Sequence, residues 1–169
     1  MTLSIYEAAV PPLRRALSQL IHVLQKGQAH AEAQGFDPAI LAGYRLYPDM
    51  FPLARQVQIA SDVARRGVSR LAGEEAPAME DNEVNITELI QRLERSLDHL
   101  ATISPAHLSD AATRDVTVPI GKGETITMQG WPFLSAFVLP NVYFHVTTAY
   151  NILRHNGVPI GKRDFLGEA

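Results

Sequence analysis

The stretch FVLPNVYFHVTTAYNILRH, residues 137–155, reads as one long apolar helix with a single histidine on its inward face. On a wheel turning about 100° per residue, Leu134, Val138, Val142, Ala149 and Ile152 share one side. His145 falls in the middle of that side, and Asn141 lies at its edge one turn earlier. The pattern begins near Trp131, and Asn156-Gly157 ends it. The opposite side, Tyr143, Phe144, Thr147, Tyr150 and Asn151, carries no charge until Arg154. An uncharged aromatic strip of this kind suits a partner surface, with a second copy of the chain as the expected partner. The alternative is that the tail or a hairpin covers it.

Working outward, three more stripes of helical period appear. Tyr6, Val10, Leu13, Leu17, Leu20, Leu24 and Ala31 define the first, over residues 4–34. Pro11 and Pro12 interrupt it, which predicts a kink or a helix that starts at Pro11. Gly35 is a natural stop, and Asp37-Pro38 opens a short helix ending near Gly43. After the loop YRLYP (residues 44–48), Asp49 is placed to cap a second long helix over residues 50–71, ending at Gly73. Leu53, Val57, Ala60, Ala64, Gly67 and Leu71 form its inner stripe. Arg55, Gln58, Asp62, Arg65 and Arg66 fall on the face expected to meet solvent, and Gln56 sits at the edge of the apolar side. A polar connection, residues 74–82, leads to a third helix. There Asn85 and Glu88 have capping-box spacing ahead of Ile86, Leu89, Ile90, Leu93, Leu97 and Leu100.

The period then changes to two. DVTVP (115–119) and ETITM (124–128) flank the turn IGKG, predicting a short hairpin. The fragment GKGET lacks the spacing of a phosphate-binding loop, and a nucleotide reading is rejected. Residues 158–169 read as an extended tail. The expected architecture is all-α: a four-helix bundle over residues 1–169 as one domain, with a β-hairpin between the third and fourth helices.

Composition limits the function classes. The net charge of −3 and pI near 6.0 leave no basic excess for nucleic acid or an anionic membrane surface. No apolar run reaches the roughly 18–20 residues of a membrane span, and no signal peptide is evident. With no cysteine, disulfides, thiolate metal sites and cysteine nucleophiles are excluded. A cytoplasmic protein is the expectation.

His145 is the only one of six histidines that this reading places in the core. His22 and His99 fall away from the apolar stripes, His30 is lateral, His107 lies in a linker and His155 at a helix end. A buried imidazole needs hydrogen-bond partners or costs about 1–3 kcal/mol. Gln56, Asn141 and Thr148 are the candidates, and together with His145 they form the expected ligand-binding set. Tyr44, Tyr47, Asp49 and Arg55 could line the mouth of a cleft, although Asp49 also suits a cap and Arg55 a solvated charge.

The residues His145, Leu153-Arg154 and Gly157 are similar to the end of the fourth helix in the DinB/YfiT-like superfamily of four-helix bundles. PDMFPLARQVQIASD (48–62) and LPNVYFHVTTAYNILRHNGVPIGKRDF (139–165) resemble, more narrowly, an uncharacterised bacterial family within it. Many DinB-like proteins bind a divalent metal through three histidines, one on helix two and two a turn apart on helix four. Some are thiol-dependent transferases or isomerases. Here the fourth-helix pair corresponds to Asn141 and His145, and the second-helix position falls near Gln56. One ligand of three is retained, and amides are poor ligands for Zn²⁺ or Ni²⁺.

Two functions follow. In the first, the chain is a dimeric interaction or small-ligand-binding bundle whose metal site has become a polar core, with no cofactor. In the second, it is a metal- or thiol-dependent transferase or hydrolase. His145 would then be its metal ligand, for zinc or nickel, or its general base and catalytic residue, with Asn141 and Gln56 orienting substrate or water.

Overall fold

The computed structural model describes residues 3–167. Helix α1 (Ile5–Gln34) is followed by the short α2 (Ala39–Gly43), then α3 (Leu53–Ala72) and α4 (Ile86–Thr102). A 3-10 turn (Pro105–Leu108) leads into strands β1 (Asp115–Gly121) and β2 (Glu124–Gln129). One turn of helix, α5 (Gly130–Pro132), then a π-helical turn (Phe133–Val138) and α6 (Leu139–His155) run on without a break, and α7 (Lys162–Leu166) closes the described chain. Helices α1 and α3 each pack against both α4 and α6, so the four long helices form the expected bundle. Leu13, Leu17, Leu24, Leu53, Leu93, Val142 and Ile152 are among the buried residues that fill it. Each fully buried aliphatic side chain contributes about 1.5–3 kcal/mol.

Several boundaries differ from the sequence reading, each for a local reason. Helix α1 neither starts nor stops at Pro11-Pro12. Ser4 accepts from the Glu7 N–H at 3.2 Å while the Glu7 carboxylate accepts from the Ser4 N–H at 3.0 Å, so the helix already starts at Ile5, ahead of the prolines. Buried Ile5, Ala9 and Val10 before the prolines, and Leu13 and Leu17 after them, hold both halves on one core. Helix α3 begins at Leu53, not Met50, and Asp49 does not cap it. Pro52 disfavours helical geometry at Phe51, and the first helical N–H, from Leu53, donates to the Tyr44 carbonyl at 2.8 Å. Asn85 caps α4 as expected, but Glu88 reaches back to the Val84 N–H at 2.7 Å, one residue beyond the cap. The tail is not fully extended. Asp164 accepts from the Gly161 N–H at 2.7 Å, initiating α7, and also binds His22 and Lys26 of α1. Glu168 and Ala169 of the predicted tail lie outside the described residues.

The expected hairpin forms, with Thr117 opposite Thr127 and Val118 opposite Ile126. Lys122 and Gly123 both have positive φ, 52° and 80°, as a two-residue turn of the twisted type requires. Val116 and Val118 are buried against the bundle, and Thr117 and Thr127 pair through their hydroxyls at 2.8 Å on the outer face.

The π turn has an identifiable cause. Pro140 has no N–H to give the Ala136 carbonyl, and the helix widens just before it. The widened turn lies hard against α3: a Cβ built on Gly67 would stand 2.9 Å from both γ carbons of Val138. Among the described residues no helix is long and apolar enough to cross a membrane.

Candidate functional site

The inward face of the π turn and α6 is as the wheel placed it: Leu134, Val138, Val142, Ala149 and Ile152 are all buried. His145 lies among them, 9% exposed, and is the one buried histidine among the described residues. Gln56, in the first turn of α3, is 2% exposed and meets it across the bundle. The Gln56 amide nitrogen donates to the Phe51 carbonyl at 3.1 Å. Its oxygen therefore faces His145, whose Nδ1 lies 2.7 Å away. An amide oxygen only accepts, so the imidazole carries its proton on Nδ1 and leaves Nε2 with a lone pair. Phe51 stays outside the helix because Pro52 follows it, and this gives Gln56 the carbonyl it needs.

The other two candidates are not drawn in. The Thr148 hydroxyl donates to the Phe144 carbonyl one turn back at 2.7 Å, the local bond that threonine in a helix readily makes. Asn141 is half-buried, and its amide has no hydrogen-bond partner among the described residues. At the mouth, Tyr44 and Tyr47 are exposed at 40% and 66%, and Asp49 is exposed as well. Arg55 is not a free solvated charge: it pairs with Asp81 and donates to Gln58 at 3.3 Å. The ring of Phe144 meets that of His145 edge-on, with centroids 5.2 Å apart.

Burial, and after it the positive charge of Arg55, hold the His145 imidazole below its ordinary pKa of 6.5. The same holds for His99, where burial leads and Arg65 adds to it against the pull of Glu74. Both rings hold a proton less readily in the fold than in the unfolded chain, which takes up protons below about pH 6.5. The unfolded state then binds more protons, so stability is full above that pH and falls as the pH drops through the depressed folded values. The melting temperature is expected to fall by a few degrees between about pH 7 and pH 5, with a shallower slope in His145→Gln. Equal slopes in the two proteins would show that His145 does not titrate with folding.

The donor set does not fit a bound metal. His145 offers one imidazole nitrogen, and its hydrogen-bond partner Gln56 offers only an amide, a poor ligand for Zn²⁺ or Ni²⁺. Among the described residues no three His, Cys, Asp or Glu side chains converge as a metal site requires.

A larger polar cluster escaped the sequence reading. Arg65 and Gln58, expected on a solvated face, are buried, and so is Arg92 of α4. Arg92 pairs with Asp62 at 2.8 Å, Asp81 at 2.9 Å and Glu83 at 3.0 Å, and donates to the Glu80 carbonyl at 2.8 Å. Burial opposes its charge, but Glu83 and Asp62 more than offset this and hold its pKa above the ordinary guanidinium value. Arg65 binds Asp62 at 2.8 Å and the Pro77 carbonyl. The connection over residues 74–84 thus folds back over α3 and α4. No wheel drawn on either helix contains that loop.

Comparison with known proteins supports the fold and the resemblance. Residues 5–166 match the family model described as Domain of unknown function (DUF1993). The crystal structure of a DinB family member protein from Shewanella denitrificans is 41% identical in sequence. It superposes with a TM-score of 0.91 over 98% of this chain and 93% of that one. No curated protein matches.

Proposed function

The chain belongs to the family described as Domain of unknown function (DUF1993), among the DinB-like bundles, and on that premise we propose that it is a dimeric small-ligand-binding protein whose interior polar site works without a metal. The observation that carries this reading is the 2.7 Å hydrogen bond between His145 and Gln56. Gln56 fills the second-helix position and holds the imidazole by its Nδ1 proton, leaving Nε2 and the Asn141 amide, one turn apart on α6, to meet a neutral polar ligand. The dimer rests on the outer strip of α6. The tail covers part of it: Phe165 packs edge-on against Tyr150 at 5.9 Å, and the Tyr150 hydroxyl reaches the Ile160 carbonyl at 3.5 Å. Tyr143 and Phe144 stay exposed at 39% and 60%, an aromatic pair suited to burial against a second copy.

Elemental analysis of protein purified without a metal-affinity tag tests the site. Substoichiometric metal is the expected result, and stoichiometric zinc or nickel that is lost in His145→Ala would overturn the reading. Light scattering during gel filtration tests the assembly. A species of twice 18.6 kDa is expected, and a strict monomer at high concentration would refute the dimer.

A further inference from the structure

An open cleft of about 240 Å³ lies along α3, walled on its other side by the hairpin and the π turn. Helix α3 presents Arg55, Ile59, Asp62, Val63, Arg66 and Arg70 to it at three- and four-residue spacing. Val118 and Pro119 of β1 and Phe133, Phe137 and Val138 of the π turn supply the facing wall. The two phenylalanine rings stack with centroids 5.7 Å apart. One wall is therefore cationic and the other apolar and aromatic.

The charges on the cationic wall are unequally satisfied. Arg55 pairs with Asp81, and Arg66 with Asp62 at 3.1 Å. Asp62 is shared further with Arg65 and Arg92, so little of its charge is left for the cavity. Arg70, half-buried, has no ion pair or hydrogen bond among the described residues. Burial first, and then the neighbouring Arg66 charge, weaken its hold on its proton, with Glu75 acting the other way. An unpaired guanidinium repelled by a second one, beside an apolar wall, is a poor arrangement for an empty cleft and a good one for an oxyanion.

We propose that this cleft binds a small organic oxyanion, a carboxylate or phosphomonoester on an aromatic or short apolar body, with Arg70 holding the oxyanion and Phe137 the body. The volume accommodates about one ring and its substituent, since a cavity of about 150 Å³ already takes up benzene. Neither His145 nor Gln56 lines the cleft, although Arg55 neighbours both sites, and the inference stands without the reading of the His145 site. Occupancy ties α3 to the hairpin and the π turn, the elements that wall the cleft.

Phenyl phosphate, benzoate, inorganic phosphate and neutral phenol are the probes, titrated by calorimetry into the full chain. Saturable one-to-one binding of phenyl phosphate or benzoate that weakens with added salt is expected. It should weaken about tenfold or more in Arg70→Gln and be unchanged in Arg14→Gln, which removes an exposed charge elsewhere. Phe137→Leu should weaken phenyl phosphate while leaving inorganic phosphate alone. Circular dichroism confirms that each variant is folded. Absence of saturable binding at millimolar probe, equal binding in Arg70→Gln, or phenol binding as well as phenyl phosphate would each overturn the proposal.

Discussion

Replacing Arg92 with alanine is expected to destabilise the fold by about 3–5 kcal/mol, since it removes the closest cationic partner of the buried Glu83 carboxylate. The side chain is fully buried and joins α4 to Ser61 and Asp62 on α3 and to Glu80, Asp81 and Glu83 in the connection. Asp62 keeps Arg65 and Arg66 when Arg92 is lost, whereas Glu83 is left with Gln58 at 3.0 Å and Arg95 at 3.7 Å. Most of the cost therefore falls on Glu83. Against a typical total stability of about 5–15 kcal/mol, the loss is a large share. Arg92→Lys should not restore it, because one ammonium cannot replace a planar fork that serves several acceptors. The double variant Arg92→Met with Glu83→Leu should recover most of it, since no charge is then left buried alone. Urea denaturation of the four proteins checks this. A change below about 1 kcal/mol in Arg92→Ala would show that water replaces the guanidinium without penalty.

Gly130→Ala should cost about 3 kcal/mol or more, at or beyond the upper end of overpacking effects. A Cβ there would sit 1.8 Å from the Ala111 carbonyl oxygen and 3.1 Å from Leu71 Cδ2. The obstacle is backbone, not a flexible side chain. It is also held in place, since Ala111 accepts from the Arg114 N–H at 3.3 Å and the adjoining Ala112 from the Trp131 N–H at 3.2 Å. Gly130 stands where the hairpin turns into the last helix, so displacing it would shift the π turn and one wall of the cleft. Denaturant unfolding measures the effect, and a loss under about 1 kcal/mol would mean that the hairpin moves freely against the bundle.

These two residues also mark where the sequence stopped being informative. The bundle was readable because each long helix repeats its apolar residues at the helical period, and the hairpin because Val116 and Val118 alternate with polar neighbours. His145 was readable for the same reason: a wheel places it inward whatever surrounds it. Its bond to Gln56 was readable only in outline, as an inward amide on one helix and an inward imidazole on another. Thr148 was misjudged as a partner because its hydroxyl is satisfied within its own helix, which facing patterns do not reveal. Arg65 and Arg92 were invisible because what buries them is an acidic loop, and loops carry no period. Gly130 and the Arg70 cleft depend on how the hairpin rests on α3, a contact between elements far apart in the chain.

In the proposed function, Gln56 fixes His145 as a neutral, metal-free imidazole in the bundle interior. Long-range nitrogen–proton NMR correlation of the histidine rings tests it most directly. A proton on Nδ1, a bare Nε2, and no saturable change at His145 on adding Zn²⁺ or Ni²⁺ are the predicted results. A proton on Nε2, or a stoichiometric shift of that nitrogen with either metal, would refute the metal-free role of His145.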